Sequence, residues 1–212
     1  MTQRAPLPVR ALAPLALSFV LFAAGCAGSS TPEDPARSRI ESAASEPAAD
    51  SDDLALAAAR AVGPRATASP IETERTRKFL KNHKLFEVSN KTDDGVQQWK
   101  RVVVSNDGRT LLGQQAFSVP SLEKIAIADV RTAREVGALL TDLVQPGNAV
   151  LEATADRLER EKRYDVVVVA MTGGPRYGHT QTYRWTFSLS GSAEVLIQYR
   201  TPLVLPKGGS NE

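Results

Sequence analysis

The chain has 212 residues, 26 Lys and Arg against 24 Asp and Glu, a formal charge of +2 and a single cysteine. The near-neutral balance argues against nucleic acid as a partner, and one cysteine excludes an internal disulfide framework. No aromatic residue occurs between Phe22 and Phe79, which separates a stretch poor in core-forming residues from one that can fold.

Arg4 and Arg10 precede an apolar segment that ends Leu21-Phe22-Ala23-Ala24-Gly25-Cys26. This order of a basic region, an apolar region and small residues is that of an export signal. It resembles the lipobox of bacterial lipoproteins, although Ala23 stands where Leu is usual and Leu21 is displaced to five residues before the cysteine. The resemblance implies a signal peptide over 1–25, diacylglyceryl attachment to the Cys26 sulfur and cleavage before it. An ordinary secretory signal would leave an unpaired thiol in an exported protein, an oddity that lipidation explains. A membrane span over 11–24 falls short of the roughly 20 apolar residues required, and Pro14 interrupts it. The expected partner of Cys26 is a lipid bilayer. Ala27, not Asp, follows the cysteine, which in sorting of the enteric type implies the outer membrane, facing the periplasm. Loss of Arg4 and Arg10 leaves 24 basic and 24 acidic residues.

Residues 26–70 are rich in Ala, Ser and Pro and predict a disordered tether carrying the lipidated Cys26. A flexible chain of the 44 residues 27–70 has an r.m.s. span of roughly 35–40 Å and an extended reach on the order of 145 Å. A short helix over 53–62 can form within it. Residues 71–205 suffice for one α+β domain, and 206–212 are an expected disordered tail.

Within that domain, 72–83 predicts a helix with Thr73 and Thr76 as weak points, and 85–88 a short strand. Trp99 to Ser105 is β-branched and predicts a strand. Asn106-Asp107-Gly108 predicts a tight turn, with an apolar-rich run over 109–117 completing a hairpin. Lys124 to Val130 (KIAIADV) predicts a strand with Ile125, Ile127 and Asp129 on one face. Thr132 and Glu135 fit a capping box, followed by Val136, Leu139, Leu140, Leu143 and Val144 at helical spacing. Pro146-Gly147 ends that helix. Asn148 is the expected cap of another, with Leu151, Ala155 and Leu158 on one face and Glu159 paired with Arg163. The unbroken Val166–Val169 run predicts a strand covered on both faces. His179 to Ser190 alternates clearly and predicts a strand. Ser190-Gly191-Ser192 turns the chain into a last strand with Val195, Ile197 and Tyr199 inward. The expected class is α+β, a mainly antiparallel sheet with two to three helices on one face.

Three segments resemble the LpoB-type periplasmic lipoproteins that activate bifunctional penicillin-binding proteins. They are KIAIADVRT as a strand entering a helix, a helix entering RYDVVVVAMTGG, and the hairpin TYRWTFSLSGSAEVLIQYRTPLV. The hairpin at 99–117 has no counterpart in that family. The resemblance implies regulation of a cell-wall synthase through protein binding.

No catalytic constellation is legible. His83 and His179 lack metal-site spacing, and neither GxSxG nor a phosphate-binding glycine motif is present. Asp93-Asp94-Gly95 reads as a turn, not a calcium loop. No metal, cofactor or catalytic residue is assigned. The most suggestive segment is a glycine-rich loop, Gly173, Gly174, Arg176, Tyr177 and His179, since Arg and Tyr are enriched at interaction hot spots. Its alternative is a hairpin connection whose polar residues face water. Trp99 and Trp185 are expected in the core. The functional expectation is a non-enzymatic envelope lipoprotein that binds an envelope protein. A subunit of an envelope assembly or secretion apparatus and an uncharacterised hydrolase are the alternatives, and a pocket at His83 or His179 would favour the last.

Overall fold

The computed structural model describes residues 50–204, and within them the chain forms two four-stranded antiparallel meanders in succession. The expected signal peptide over 1–25, Cys26 with the expected tether up to residue 49, and the expected tail at 206–212 lie outside the described residues. The α+β class holds, with two sheets in place of one.

The folded region starts earlier than the sequence suggests. Ser51–Val62 is helix α1, with Asp52 and Asp53 in its first turn, Arg60 in its last, and an alanine-rich interior. Leu54 and Ala58, one turn apart, are fully buried against the first sheet. Thr67–Pro70 then forms edge strand β1. Residues 51–70 are therefore packed structure, which corrects their assignment to a disordered tether. The single buried stripe of an otherwise small-residue helix is what docks it.

Helix α2 is shorter than expected, Glu74–Phe79. Thr73 and Thr76 do not weaken it; they form its capping box, each side chain accepting from the other's backbone N–H. His83 opens strand β2, His83–Lys91, which pairs with β3, Gln97–Ser105. Asp93-Asp94-Gly95 is the tight turn between them, with Gly95 N donating to Thr92 O at 2.9 Å. Strand β4, Thr110–Leu112, is a fragment of the predicted 109–117 strand. Gly113, at φ +53°, diverts the chain into a 3-10 turn over Gly113–Ser118 and the short helix α3, Val119–Leu122. Phe117 and Val119 enter the core there instead of extending the sheet.

KIAIADV is not a strand. Both sheets are complete without it, and its backbone finds isolated partners: Ile125 N donates to Pro120 O and Ile127 N to Gly191 O. Its alternation is real, since Ile127 is buried, but no ladder uses it. Asp129, expected on a strand face, caps helix α4, Val130–Val144, by accepting from Thr132 N at 2.6 Å. Thr132 and Glu135 therefore form no capping box, the cap lying three residues earlier at Asp129, and Glu135 instead pairs with Lys78 and Arg131. The predicted stripe holds: Val136, Leu139, Leu140 and Leu143 are fully buried.

Residues 149–158 form strand β5, Ala149–Leu158, not a helix. Pairing with β6, Arg163–Gly174, overrides the helical spacing of Leu151, Ala155 and Leu158. Asn148 caps nothing; its amide binds Thr141 and Asp142. Glu159 pairs with Arg157, and Arg163 with Glu161 and Asp165. Burial alternates along β6, with Val166 and Val168 buried and Val167 and Val169 half-buried, so the valine run is not covered on both faces. Strand β7, His179–Ser190, matches its predicted bounds. Strand β8, Val195–Leu203, carries a bulge opposite Ser188/Leu189. The bulge inverts the expected facing: Ile197 and Tyr199 are exposed, and Gln198 and Arg200 lie opposite Phe187 and Trp185 on the inner side.

The layers follow from these faces. Phe86, Val88, Val102 and Val104 pack on α1, while Leu85 and Val103 join the main core with α4. The first sheet is thus buried on both sides, with α1 and α4 on opposite faces and not together on one. Helix α4 lies between the two sheets. Its Gly137 permits the approach to β6, because a Cβ there would stand 2.5 Å from Val166 Cγ1. Of the LpoB-type segments, the closing hairpin is present as β7–β8; the first segment is loop before its helix, and RYDVVVVAMTGG is entered from a strand.

Candidate functional site

Strand β2 reads Leu85-Phe86-Glu87-Val88, and the period of two sends Phe86 and Val88 toward α1 and Glu87 toward the other face. Glu87 is 2% exposed. A buried carboxylate is costly unless paired and hydrogen-bonded, and Glu87 is both. Arg101, its register partner on β3, approaches Oε1 at 3.1 Å. Gly147 N donates to the same oxygen at 3.3 Å, and the Tyr177 hydroxyl donates to Oε2 at 2.7 Å. Arg176 Nη1 lies 3.7 Å from Oε2. Arg101 also donates from Nε to Gln145 O at 3.2 Å. One carboxylate thus gathers β2, β3, the end of α4 and the β6–β7 connection.

That connection is the glycine-rich loop. Gly173 and Gly174 end β6, a single 3-10 turn spans Pro175–Tyr177, and Gly178 restarts the chain into His179. The loop is seated on the end of α4. Thr172 Oγ1 and Gly173 N both donate to Pro146 O, at 2.6 and 3.3 Å. Gly147, at φ +60°, has no room for a side chain: a Cβ would meet Gly173 O and Tyr177 Cε2 at 2.6 Å each. The polar loop residues therefore do not simply face water. Tyr177 is a half-buried anchor, His179 Nδ1 meets Tyr177 O at 3.0 Å at the exposed start of β7, and Arg176 reaches outward while remaining tied.

Arg176 stacks its guanidinium 4.1 Å from the Trp99 ring centroid, and the Tyr177 ring meets Trp99 edge-on at 5.2 Å. Trp99 is half-buried, in contrast to Trp185, which is in the core. The Arg176 side chain remains 59% exposed. The result is a pre-set surface cluster of Arg, Trp and Tyr, backed by a buried ion pair. Sequence reasoning found the loop but missed Glu87 and Arg101. The signal was present as a lone carboxylate inside the apolar run LFEV.

Burial, then the bond donated to Glu87, raises the Tyr177 phenol above its ordinary 10.0. The folded state holds that proton more tightly than the unfolded chain. The associated stability is complete below the unfolded value and is lost as pH rises through the folded one, a window above about pH 10. An ultraviolet titration is expected to show a late tyrosine ionisation that Tyr177→Phe removes.

His83 is also buried, and its Nδ1 lies 2.7 Å from Glu123 Oε1. Asn82 adds two bonds to the same carboxylate, from its backbone N at 2.8 Å and Nδ2 at 3.1 Å. The pair joins the start of β2 to the end of α3. Ser105 faces His83 across the ladder, in a shallow depression with Asn82, Asp107 and Arg109. Its hydroxyl is engaged by Asp107 and by the Arg109 backbone, as the turn requires. The arrangement ties a hairpin end and presents no activated nucleophile. Among the described residues, no group of three His, Cys, Asp or Glu is placed to hold a metal, and no helix is long and apolar enough to cross a membrane.

No family model matches the chain, and neither a curated protein nor a solved structure matches it.

Proposed function

We propose that this chain is a lipoprotein of the bacterial envelope, held at a membrane by acylated Cys26, whose folded region binds a protein partner through the Trp99–Arg176–Tyr177 cluster. The observation that carries the binding reading is the cluster itself. Arg, Trp and Tyr are the residue types enriched at hot spots, and here they are fixed before any partner arrives, so little side-chain entropy is lost on contact. The lipobox-like segment carries the anchor, and Ala27 favours the outer membrane. Regulation of a cell-wall synthase is the specific form, resting on the LpoB-type resemblance.

Two measurements test the parts separately. Intact mass of the protein extracted from membranes is expected to show an N-terminal Cys26 bearing acyl chains, and Cys26→Ser to release the protein from the membrane fraction. Retention of the Ser variant at the membrane removes the anchor. Cross-linking in cells is expected to trap one envelope protein in a one-to-one complex. Arg176→Ala should weaken that complex by about 30-fold, the cost of roughly 2 kcal/mol typical of a hot spot. An unchanged complex removes the cluster from the reading, and ring-like homo-oligomers would point to an assembly apparatus instead.

A further inference from the structure

A strand at the edge of a sheet presents unpaired N–H and C=O groups, and folded proteins blunt such edges. The two sheets have four edges. Strand β1 is four residues long and ends in Pro70, and β4 has three residues. Strand β5 carries Glu152, Asp156 and Arg157. Strand β8 has no charge from Val195 to Tyr199, and its Leu196, Ile197 and Tyr199 are 51%, 38% and 65% exposed. With Val204 they make four of the nine exposed large hydrophobics among the described residues, all within 196–204. Apolar exposure gathered on one strand in this way marks an interaction surface.

The regular part of this edge is short and bounded at both ends. The bulge interrupts it at Leu196, and Pro202 has no N–H to offer. Between them, 197–201 pairs residue for residue with β7, and Ile197, Tyr199 and Thr201 share the outer face. Tyr199 is the midpoint, with Leu196 three residues before it and Pro202 three after. An antiparallel copy of the strand centred on Tyr199 therefore matches all five residues with all five. Tyr199 then meets Tyr199, Ile197 meets Thr201 and Gln198 meets Arg200. Each Pro202 meets the bulged Leu196 of the other copy, where neither ladder is regular. A two-fold centred one residue earlier pairs only three of the five, and one centred a residue later sets Arg200 against Arg200, which is unfavourable. Centred on Tyr199, no charge faces its like. The strand is thus complementary to itself, irregular ends included, and a strand of unrelated sequence does not share that symmetry.

We propose that β8 pairs antiparallel with the β8 of a second copy of this chain, joining two four-stranded sheets into one of eight strands about a two-fold axis at Tyr199. The Tyr199 pair and the two Ile197–Thr201 pairs supply side-chain contact on the outer face. The chain's own flanks do not offer a matching strand: 27–49 and 205–212 hold no aromatic residue, and Ile40 and Leu205 are their only large aliphatic ones. A five-residue ladder is small against the roughly 1,200 Å² of a stable complex, so the dimer is weak, with a Kd on the order of 100 µM. Such a pair closes on itself and does not build a ring. It shares no residue with the Arg176 cluster.

The test uses the full mature chain with Cys26→Ser, which carries neither acyl chains nor a thiol that could cross-link. Sedimentation equilibrium at concentrations up to about 0.5 mM is expected to show monomer and dimer in exchange. Tyr199→Lys alters an exposed side chain, places two like charges at the axis, and should weaken the dimer at least about tenfold. The register is read by oxidation. Tyr199→Cys sets two thiols on directly opposed positions, about 4.5–5.5 Å apart between Cα atoms and within disulfide reach, and should cross-link. Ile197→Cys sets them four residues apart along the strands, about 13 Å and out of reach, and should not. A chain that stays monomeric overturns the proposal and leaves β8 to a strand of another protein. A dimer indifferent to Tyr199→Lys, or Ile197→Cys cross-linking as readily as Tyr199→Cys, overturns it as well. None of these measurements needs an acyl chain or Arg176, so failure here and failure of the proposed function are distinct results.

Discussion

Glu87→Gln is expected to destabilise the folded region by about 3–5 kcal/mol, because it leaves the buried Arg101 guanidinium facing a neutral amide. Arg101 is 8% exposed and lies 3.1 Å from Glu87 Oε1. Burial pulls its affinity for a proton below the ordinary value, and the Glu87 charge opposes that pull. The same substitution weakens the bonds from Gly147 N and the Tyr177 hydroxyl, so the Gly173–His179 loop should loosen with it. Urea unfolding checks the magnitude, with the midpoint falling by about 2 M at an m-value typical of this size. The paired replacement Glu87→Leu with Arg101→Met should recover most of the loss, since removing both charges also removes their desolvation. A single variant within about 0.5 kcal/mol of the parent would show that the ion pair contributes little.

Phe187→Ala is expected to cost about 3–5 kcal/mol and to lower Tm by roughly 10–15 °C. Phe187 is fully buried, stacked on Trp185 and met edge-on by Phe117 at 5.9 Å. Its removal leaves a hole behind the Trp185 ring, so Trp185 fluorescence should change as well. Val167→Ala, on the outer and half-buried side of β6, should cost about 1 kcal/mol or less. Calorimetric melting of the two variants compares them directly. Comparable losses would mean that both faces of β6 are covered after all, as the unbroken valine run first suggests.

The elements legible in the sequence are those whose local pattern and tertiary role agree. Helix α4 shows its stripe because Val136, Leu139, Leu140 and Leu143 all enter the main core, and β7 shows its alternation because Trp185, Phe187 and Leu189 enter the same one. Strand β5 reads as a helix because Leu151, Ala155 and Leu158 satisfy a helical spacing, while the ladder with β6 that decides the matter depends on cross-strand partners that no spacing within 149–158 encodes. KIAIADV alternates like a strand but finds no neighbouring strand, and a ladder needs a partner. The inverted facing of β8 depends on a one-residue bulge that propensity does not encode. At the candidate site the loop was legible from its glycines and its Arg-Tyr pair. Glu87 and Arg101 were not, because what joins them to Tyr177 is a separation of up to 90 positions along the chain.

The docking of α1 on the first sheet sets a radius of action. If Cys26 sits at a bilayer, 24 residues (27–50) separate it from the first packed helix. Covalent geometry limits that length to about 80 Å, little more than half the distance that 44 free residues would allow. Any target must then lie within that shell of the anchoring leaflet, and lengthening the segment by insertion before residue 50 should widen the shell without touching the fold.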